Sequence, residues 1–486
     1  MFKYLKQLAG ESAIYGLSSI LIRFIGLFAT PIYTRIFLPH DYGVMGLVNT
    51  LFMLVGVVLV LGLDSATALY FYERKGEEQK HPVATWFWTQ LVLTLFLCLL
   101  CSLFSNIFSR WFIKEADYGI LIKLGAFNLL FSLFSAILSN WFRLQRKAMH
   151  TVAFTFVISI VNIGVSILLV VHYKMGIAGI YWGALTSNLL ACAVAIYFMH
   201  DWLSIKYFDL PLLKKMFHFS LPLIPASFAY WALNSSGSYF IDHYLNKTEV
   251  GLYQIGMSLA SGMLLFVGAF QAAWGPFALS FSQKPDAKQI YAATFMAYTV
   301  ISSSLFVMLC IFSKEILLII TTSVYVDAYK VGCLLALNCI LSGYNYIASI
   351  GLAIAKTNSP YAKIVIAGAC LTVVLYMVLI PVFGKEGAAV ANVAGQLMVP
   401  VYMFYAANKY YPVNYPYRKA TTIFGTAILF SLAGLNIGFN NMVLLIVVKT
   451  FIVLVFGFVM YLFNKNTVNK VAVQLKAAMI TKRNVT

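Results

Sequence analysis

Apolar runs of bilayer length recur from one end of this chain to the other, and they constrain its fold more than any other feature. A helix that crosses the hydrocarbon core needs about 20 mostly apolar residues, whereas a globular helix averages about 11–12. The 486 residues are 61% hydrophobic and 10% charged, whereas a soluble domain carries roughly 25% charged residues. The sequence therefore predicts an all-α polytopic membrane protein.

The apolar runs predict about fourteen transmembrane helices. They cover residues 12–37, 42–63, 83–108, 118–142, 150–172, 177–199, 219–241, 250–273, 291–313, 328–355, 360–383, 386–408, 418–437 and 440–463. We predict two pseudo-symmetric six-helix lobes (1–205 and 206–412), two further helices (413–463) and a basic cytoplasmic tail (464–486).

Basic residues are concentrated in alternate loops. With the N-terminus placed in the cytoplasm, 23 of the 34 Lys and Arg fall on the cytoplasmic side and 7 on the opposite side. Cytoplasmic loops carry such an excess because they are not translocated, so we predict that both termini are cytoplasmic. Topology then explains the net charge of +18, and we do not expect nucleic acid as a partner.

An internal repeat appears when the chain is shifted by 208 residues. The shift aligns 41–44 (Asp-Tyr-Gly-Val) with 249–252 (Glu-Val-Gly-Leu), and 176–179 (Gly-Ile-Ala-Gly) with 384–387 (Gly-Lys-Glu-Gly). An offset of six spans is even, so the two copies have the same orientation in the membrane. Such a parallel repeat is typical of transporters whose two halves rock about a central cavity, although channels and structural proteins can be duplicated too.

Five stretches carry a resemblance to a known family. They are IRFIGLFATPIYTRIFLPHDYGVMGLV (22–48), NWFRLQRKAMHTVAF (140–154), GIAGIYWGALTSN (176–188), FHFSLPLIPASF (217–228) and DHYLNKTEVGLYQIGMSLA (242–260). In order and spacing they resemble bacterial polysaccharide and O-antigen flippases of the Wzx type. Those proteins belong to the multidrug, oligosaccharidyl-lipid and polysaccharide (MOP) exporter superfamily.

The resemblance implies a flippase of the bacterial inner membrane. It would move undecaprenyl-diphosphate-linked oligosaccharide repeat units from the cytoplasmic to the outer leaflet by alternating access. Its partners would be the lipid-linked oligosaccharide, membrane lipids, a polysaccharide polymerase and other assembly proteins. No cofactor is expected, and coupling to a proton or a sodium gradient stays open.

A lipid-linked sugar needs buried cations for its diphosphate and polar or aromatic groups for its glycan. Arg suits the diphosphate through forked hydrogen bonds, and ionisable residues inside a membrane are functional candidates by default. Arg23 lies mid-span, and we predict that it faces the cavity; pairing for helix packing is the alternative. Related peptidoglycan-precursor flippases carry a second basic residue two turns further on, where this chain has Ala29 and Thr30.

The remaining cavity candidates each have a plainer interpretation. Arg35 can snorkel to the surface, Asp64 can cap a helix, Arg143 can be a topology signal, and Asp242 can form a gate pair. The other candidates by chemistry are Lys123, Asn49, Trp231, Asn234 and Asn345. Lys449 lies alone in an apolar span, and the sequence offers no account of it beyond an unidentified partner.

Two other functions compete with a flippase. A drug or cation antiporter of the same superfamily would share the fold, but it should carry acidic residues mid-helix for ion coupling, whereas the mid-span residues here are mainly basic. A glycan polymerase or ligase is less favoured, because such enzymes need a large external loop with catalytic residues. The sequence contains no GxSxG, HExxH or P-loop motif, and we predict neither catalytic residues nor a metal site.

Overall fold

The computed structural model describes residues 25–26, 28–115, 117–282, 284–355, 359–438 and 441–483. Within these ranges every regular element is a helix, which confirms the predicted all-α fold. The helices are α1 (Pro39–Val60), α2 (Leu63–Glu73), α3 (Lys80–Leu103), α4 (Ser105–Phe112), α5 (Gly119–Leu144), α6 (Ala148–Ile167), α7 (Gly176–Met199), α8 (Leu210–Ser220), α9 (Ile224–Ser235), α10 (Gly237–Tyr244), α11 (Lys247–Phe281), α12 (Ala287–Ile311), α13 (Ser313–Ile320), α14 (Ala328–Ile354), α15 (Ser359–Tyr410), α16 (Tyr417–Leu435) and α17 (Met442–Arg483).

Ten helical stretches among the described residues are long and apolar enough to cross a membrane. One of them, Pro360–Tyr410, has 51 residues, and at 1.5 Å per residue it measures about 77 Å, more than twice the hydrocarbon thickness. It bends at Gly384, whose φ is 60°. The bend divides α15 into two helical segments, whereas the total of fourteen spans stays a prediction.

Two glycines that the 208-residue shift aligns have the same unusual backbone. Gly176 has φ 59° and Gly384 has φ 60°, in the left-handed region that glycine tolerates because it has no Cβ. Gly176 begins α7, and Gly384 begins the second half of α15. Equivalent turns at equivalent positions are what a duplicated segment would produce.

The stretch from α8 to α10 is interrupted twice. A 3₁₀ turn at Leu221–Leu223 contains Pro222, which has no N–H to continue the α-helical ladder. Ser236 then separates α9 from α10. These breaks let residues 210–244 change direction without losing helical structure.

The chain divides into two compact units. The first comprises residues 1–284 and 317–412, and the second comprises residues 285–316 and 413–486. In the first unit, one apolar cluster packs around Trp86, Trp141 and Met216, and another packs around Val44, Leu121 and Leu185. The predicted lobes, 1–205 and 206–412, follow the repeat rather than this division and stay a prediction.

The second unit contains α12, α16 and α17, and it supplies the partner of Lys449. Its ammonium lies 2.6 Å from the Glu315 carboxylate, and these residues are 1% and 9% exposed. Gly434 leaves room for Ile311, because a Cβ at Gly434 would lie 2.5 Å from the Ile311 side chain. The charge that had no account in the sequence is therefore one half of a buried ion pair.

Candidate functional site at the junction of the repeated segments

Helices α1 and α11 meet through equivalent glycines. A Cβ on Gly43 would overlap the carbonyl oxygen of Lys247, and a Cβ on Gly251 would overlap the carbonyl oxygen of Pro39. The 208-residue shift carries Pro39 onto Lys247 and Gly43 onto Gly251. The contact is therefore reciprocal, as in an interface across a two-fold axis. We call this contact and the contacts around it the Gly43 junction.

The next turn of the two helices continues this symmetry. A Cβ on Gly46 would lie 2.5 Å from the Gln254 amide nitrogen, and the shift carries residue 46 onto residue 254. The Gln254 amide donates to the Ser238 hydroxyl at 3.1 Å. Gly46 has no side chain, which leaves room for the Gln254 side chain at this contact.

Four charged residues join the two segments on one side of the junction, at what we call the charged crossing. The Lys114 ammonium lies 3.1 Å from the Asp242 carboxylate and donates to the Asp242 carbonyl oxygen at 2.7 Å. The Lys247 ammonium lies 2.7 Å from the Glu115 carboxylate, and the His40 imidazole lies 3.9 Å from the same oxygen. Asp242 is 4% exposed and Lys247 is 9% exposed, so both pairs are partly withdrawn from water.

Uncharged groups join the segments on the other side, at what we call the neutral crossing. The Thr34 hydroxyl donates to the Ile320 carbonyl oxygen at 3.2 Å, and the Tyr325 hydroxyl donates to the Phe37 carbonyl oxygen at 2.7 Å. The 208-residue shift carries Thr34 onto Asp242, so the two crossings occupy equivalent places. Burial raises the pKa of the Tyr325 phenol, as does the negative charge of Asp41, so the phenol stays a donor.

Further charges support the junction. The Lys385 ammonium, which follows the bend at Gly384, lies 2.7 Å from the Glu249 carboxylate. Lys114 has φ 59°, a backbone conformation that costs a non-glycine residue on the order of 1–3 kcal/mol. Burial raises the pKa of the nearby Tyr118 phenol, and the carboxylates of Glu115 and other acidic neighbours raise it further. The junction is thus a dense set of polar contacts between backbones that nearly touch.

The predicted cavity residues on α1 and α9 come together. The Trp231 indole donates to the Thr50 carbonyl oxygen at 3.3 Å, which brings α9 against α1 next to Asn49, an exposed residue. The Asn234 amide donates within its own helix to the Tyr230 carbonyl oxygen at 2.9 Å. Asn49 and Thr50 lie further along α1 than Gly43, towards the C-terminal end of the helix.

The other predicted site residues are dispersed. Asp242 forms the ion pair of the charged crossing, and Arg35 is exposed in the turn before α1. The remaining placements are Asp64, half-buried in the first turn of α2; Lys123 and Arg143, exposed at opposite ends of α5; and Asn345 on α14. Among the described residues, the buried side-chain amide oxygen (Oδ1) of Asn345 is one of the polar atoms without a hydrogen-bond partner. Arg23 lies outside the described residues, and its role stays a prediction.

Sequence reasoning assigned Lys114 and Lys247 to loops and did not select Glu115 or Tyr325. Each of these residues forms an ion pair or a hydrogen bond with a partner more than a hundred positions away. No local sequence motif therefore indicates its role. The repeat was the one available signal, because it aligned 41–44 with 249–252 and so marked the two turns that meet.

Comparison with solved structures defines the class of fold. The structure titled "Lipid II flippase MurJ, inward closed conformation" matches with a TM-score of 0.75 at 15% identity, covering 93% of this chain and 99% of that one. An inward-facing multidrug resistance MATE family transporter of the MOP superfamily matches with a TM-score of 0.67 at 14% identity, covering 82% and 97%. A MOP superfamily transporter from Pyrococcus furiosus matches with a TM-score of 0.56 at 15% identity, covering 83% and 97%. This chain therefore has the fold of MOP superfamily transporters.

A family model places the chain more closely. The model described as "Polysaccharide biosynthesis protein" matches residues 32–330, which is more than half of the sequence. The chain belongs to this family, which confirms the predicted resemblance to polysaccharide proteins. No curated protein sequence matches it.

Proposed function

We propose that this protein is an inner-membrane flippase that carries undecaprenyl-diphosphate-linked oligosaccharide repeat units from the cytoplasmic to the outer leaflet by alternating access. The Gly43 junction is the outer gate, closed in this conformation, and both termini are cytoplasmic. The distribution of basic residues between the predicted loops supports this orientation.

The reciprocal closure of the Gly43 junction is the observation that carries the proposal. Two equivalent helices meet there without side chains between them, and ion pairs and hydrogen bonds hold the contact at its margins. Polar contacts at the edge of an interface can be exchanged for water when the halves separate, whereas a deep apolar interface could not open so cheaply. A static scaffold has no need of such a closure, but a transporter that rocks about an axis does.

The substrate class rests on family and chemistry together. The family is named for polysaccharide biosynthesis, and the name of one structural neighbour describes it as a lipid II flippase. Amide and aromatic groups, which commonly bind sugar rings, are present on Asn49, Trp231 and Asn234. Asn49 lies further along α1 than the Gly43 junction. A polar glycan carried between two leaflets requires such a lining.

Glycan export tests the function directly. Deletion of the gene should abolish surface glycan and leave lipid-linked repeat units accumulated in the cytoplasmic leaflet, and the wild-type gene should restore display. A drug or cation antiporter predicts a different result. Deletion would then change resistance to toxic cations and leave the glycan unchanged, which would overturn the proposal.

A further inference from the structure

We propose that Lys114 and Lys247 form a diphosphate-binding site at the outer gate, which Asp242 and Glu115 occupy while the gate is closed. The inference rests on the proposed function and adds to it a position on the exit path of the substrate. In the open state the diphosphate of the departing lipid replaces the two carboxylates, so that the arrival of the substrate and the opening of the gate favour each other.

The neutral crossing shows that closure does not require charge. Thr34 and Tyr325 hold the equivalent place with two hydrogen bonds to carbonyl oxygens. The protein thus closes two equivalent contacts with different chemistry, and only the charged crossing uses ion pairs. The four charged residues at the other crossing therefore call for a role beyond holding the segments together.

Burial makes the charged crossing costly to form. Removing a carboxylate and an ammonium from water costs several kcal/mol for each ion, and their attraction often does no more than offset that cost. Asp242 is 4% exposed and Lys247 is 9% exposed, so the charged crossing incurs part of this cost where the neutral crossing avoids it. An ionic ligand that visits the site in another conformation supplies a reason to retain the charges.

The geometry suits exchange between anions. Both lysines already bind carboxylate oxygens, at 3.1 and 2.7 Å. An ammonium is a compact charge with three donors, which binds phosphate without demanding a planar fork. Lys114 belongs to the first repeated segment and Lys247 to the second, so opening the junction breaks both pairs and frees one cation on each side. The Lys114 side chain is 46% exposed, so an anion in solution can reach its ammonium; Lys247, at 10%, becomes accessible when the junction opens.

Binding can be measured with pyrophosphate as the probe and with purified full-length protein in nanodiscs. Calorimetric titration at constant ionic strength should show a preference for pyrophosphate over sulfate. The double variant Lys114→Gln/Lys247→Gln should bind pyrophosphate about tenfold or more weakly, because it loses two charge-assisted hydrogen bonds. Lys75→Gln, which removes an exposed lysine elsewhere, should bind as the wild type does.

The competing carboxylates give the decisive variant. Glu115→Gln/Asp242→Asn removes the internal anions, so it should bind pyrophosphate more tightly than the wild type. A site elsewhere on this basic protein would not respond in this way. Unchanged affinity in this variant, or wild-type affinity in the double lysine variant, would overturn the inference. Tyr325→Phe loosens the neutral crossing but leaves both internal carboxylates in place, so it should tighten pyrophosphate binding less than Glu115→Gln/Asp242→Asn does.

A distance measurement covers the case in which the charge variants fold poorly. Spin labels at Ile36→Cys and Val324→Cys, both exposed positions beside the neutral crossing, can be introduced into protein whose exposed Cys370 is replaced by serine. Pyrophosphate should lengthen the distance between the labels, whereas sulfate should not, and an identical response to both anions would count against the inference. If glycan export is restored in cells while pyrophosphate shows no preference over sulfate, the proposed function stands and this inference alone fails.

Discussion

At Gly43 a single hydrogen atom decides whether two helices can meet. The neighbouring group is the backbone carbonyl of Lys247 rather than a side chain that could turn away, so a methyl group there must push α11 from α1. Gly251 is under the same constraint from the carbonyl of Pro39. The closed gate therefore depends on two residues that have no side chain to offer.

Gly43→Ala should abolish most glycan display while the protein remains in the membrane, and Gly251→Ala should behave alike. The added Cβ keeps the outer gate from closing, so alternation stops. Gly56→Ala is the control, because it lies on the same helix and a Cβ there would meet nothing within 4 Å. Surface glycan is measured by blot against protein level, and normal display by Gly43→Ala would contradict the role of the junction.

The buried ion pair of Glu315 and Lys449 stabilises the second unit. Glu315→Ala should destabilise the protein by about 3–5 kcal/mol, because it leaves the Lys449 charge buried without its carboxylate. Glu315→Met/Lys449→Met should recover most of the loss by removing both charges. Thermal unfolding in detergent compares the two, and a double variant no more stable than the single one would show that the pair is not the cause.

At the scale of elements, turns with left-handed glycines set the start of α7 and the bend of α15. Gly176 and Gly384 share this conformation at positions that the 208-residue shift aligns. The lysine that follows the bend lies 2.7 Å from Glu249, so the turn connects two helical segments and also supports the junction. Local backbone geometry thus contributes to the closed state.

Gly384→Ala should lower the stability of the protein by on the order of 1–3 kcal/mol, since a Cβ strains a backbone at φ 60° whatever space surrounds it. Gly176→Ala should have a similar effect. Gly425→Ala, at a site where a Cβ meets nothing within 4 Å, is the matched control. Equal melting temperatures for all three variants would refute the importance of the turns.

At the scale of the whole molecule, orientation in the membrane follows from the distribution of basic residues. We expect reporter fusions after Phe463 to be active in the cytoplasm and fusions within residues 315–327 to be active on the outer side. The reason is that loops rich in Lys and Arg are retained on the cytoplasmic side during insertion. Outer-side activity at the C-terminal fusion would reverse the proposed direction of the gate.

The fold class of this protein could be predicted from the sequence. Membrane helices are legible because hydropathy is a local sum over about 20 residues, and the repeat is legible because duplication keeps glycines such as Gly43 and Gly251 in register. The resemblance to a polysaccharide family rested on local motifs and was confirmed, whereas the flippase activity stays a proposal. The predicted Asp242 gate pair has a partner in the structure, although its role and those of the other cavity residues stay predictions.

Which charges form ion pairs became apparent only in the folded structure. Lys114 reaches Asp242 across 128 positions, and Lys449 reaches Glu315 across 134. The strength of an ion pair depends on distance and burial, and neither quantity is encoded in the composition of a loop. The contrast between the charged and the neutral crossing could not be predicted for the same reason. The two crossings occupy equivalent places in the repeat but use different chemistry, and this difference depends on which residues are in contact.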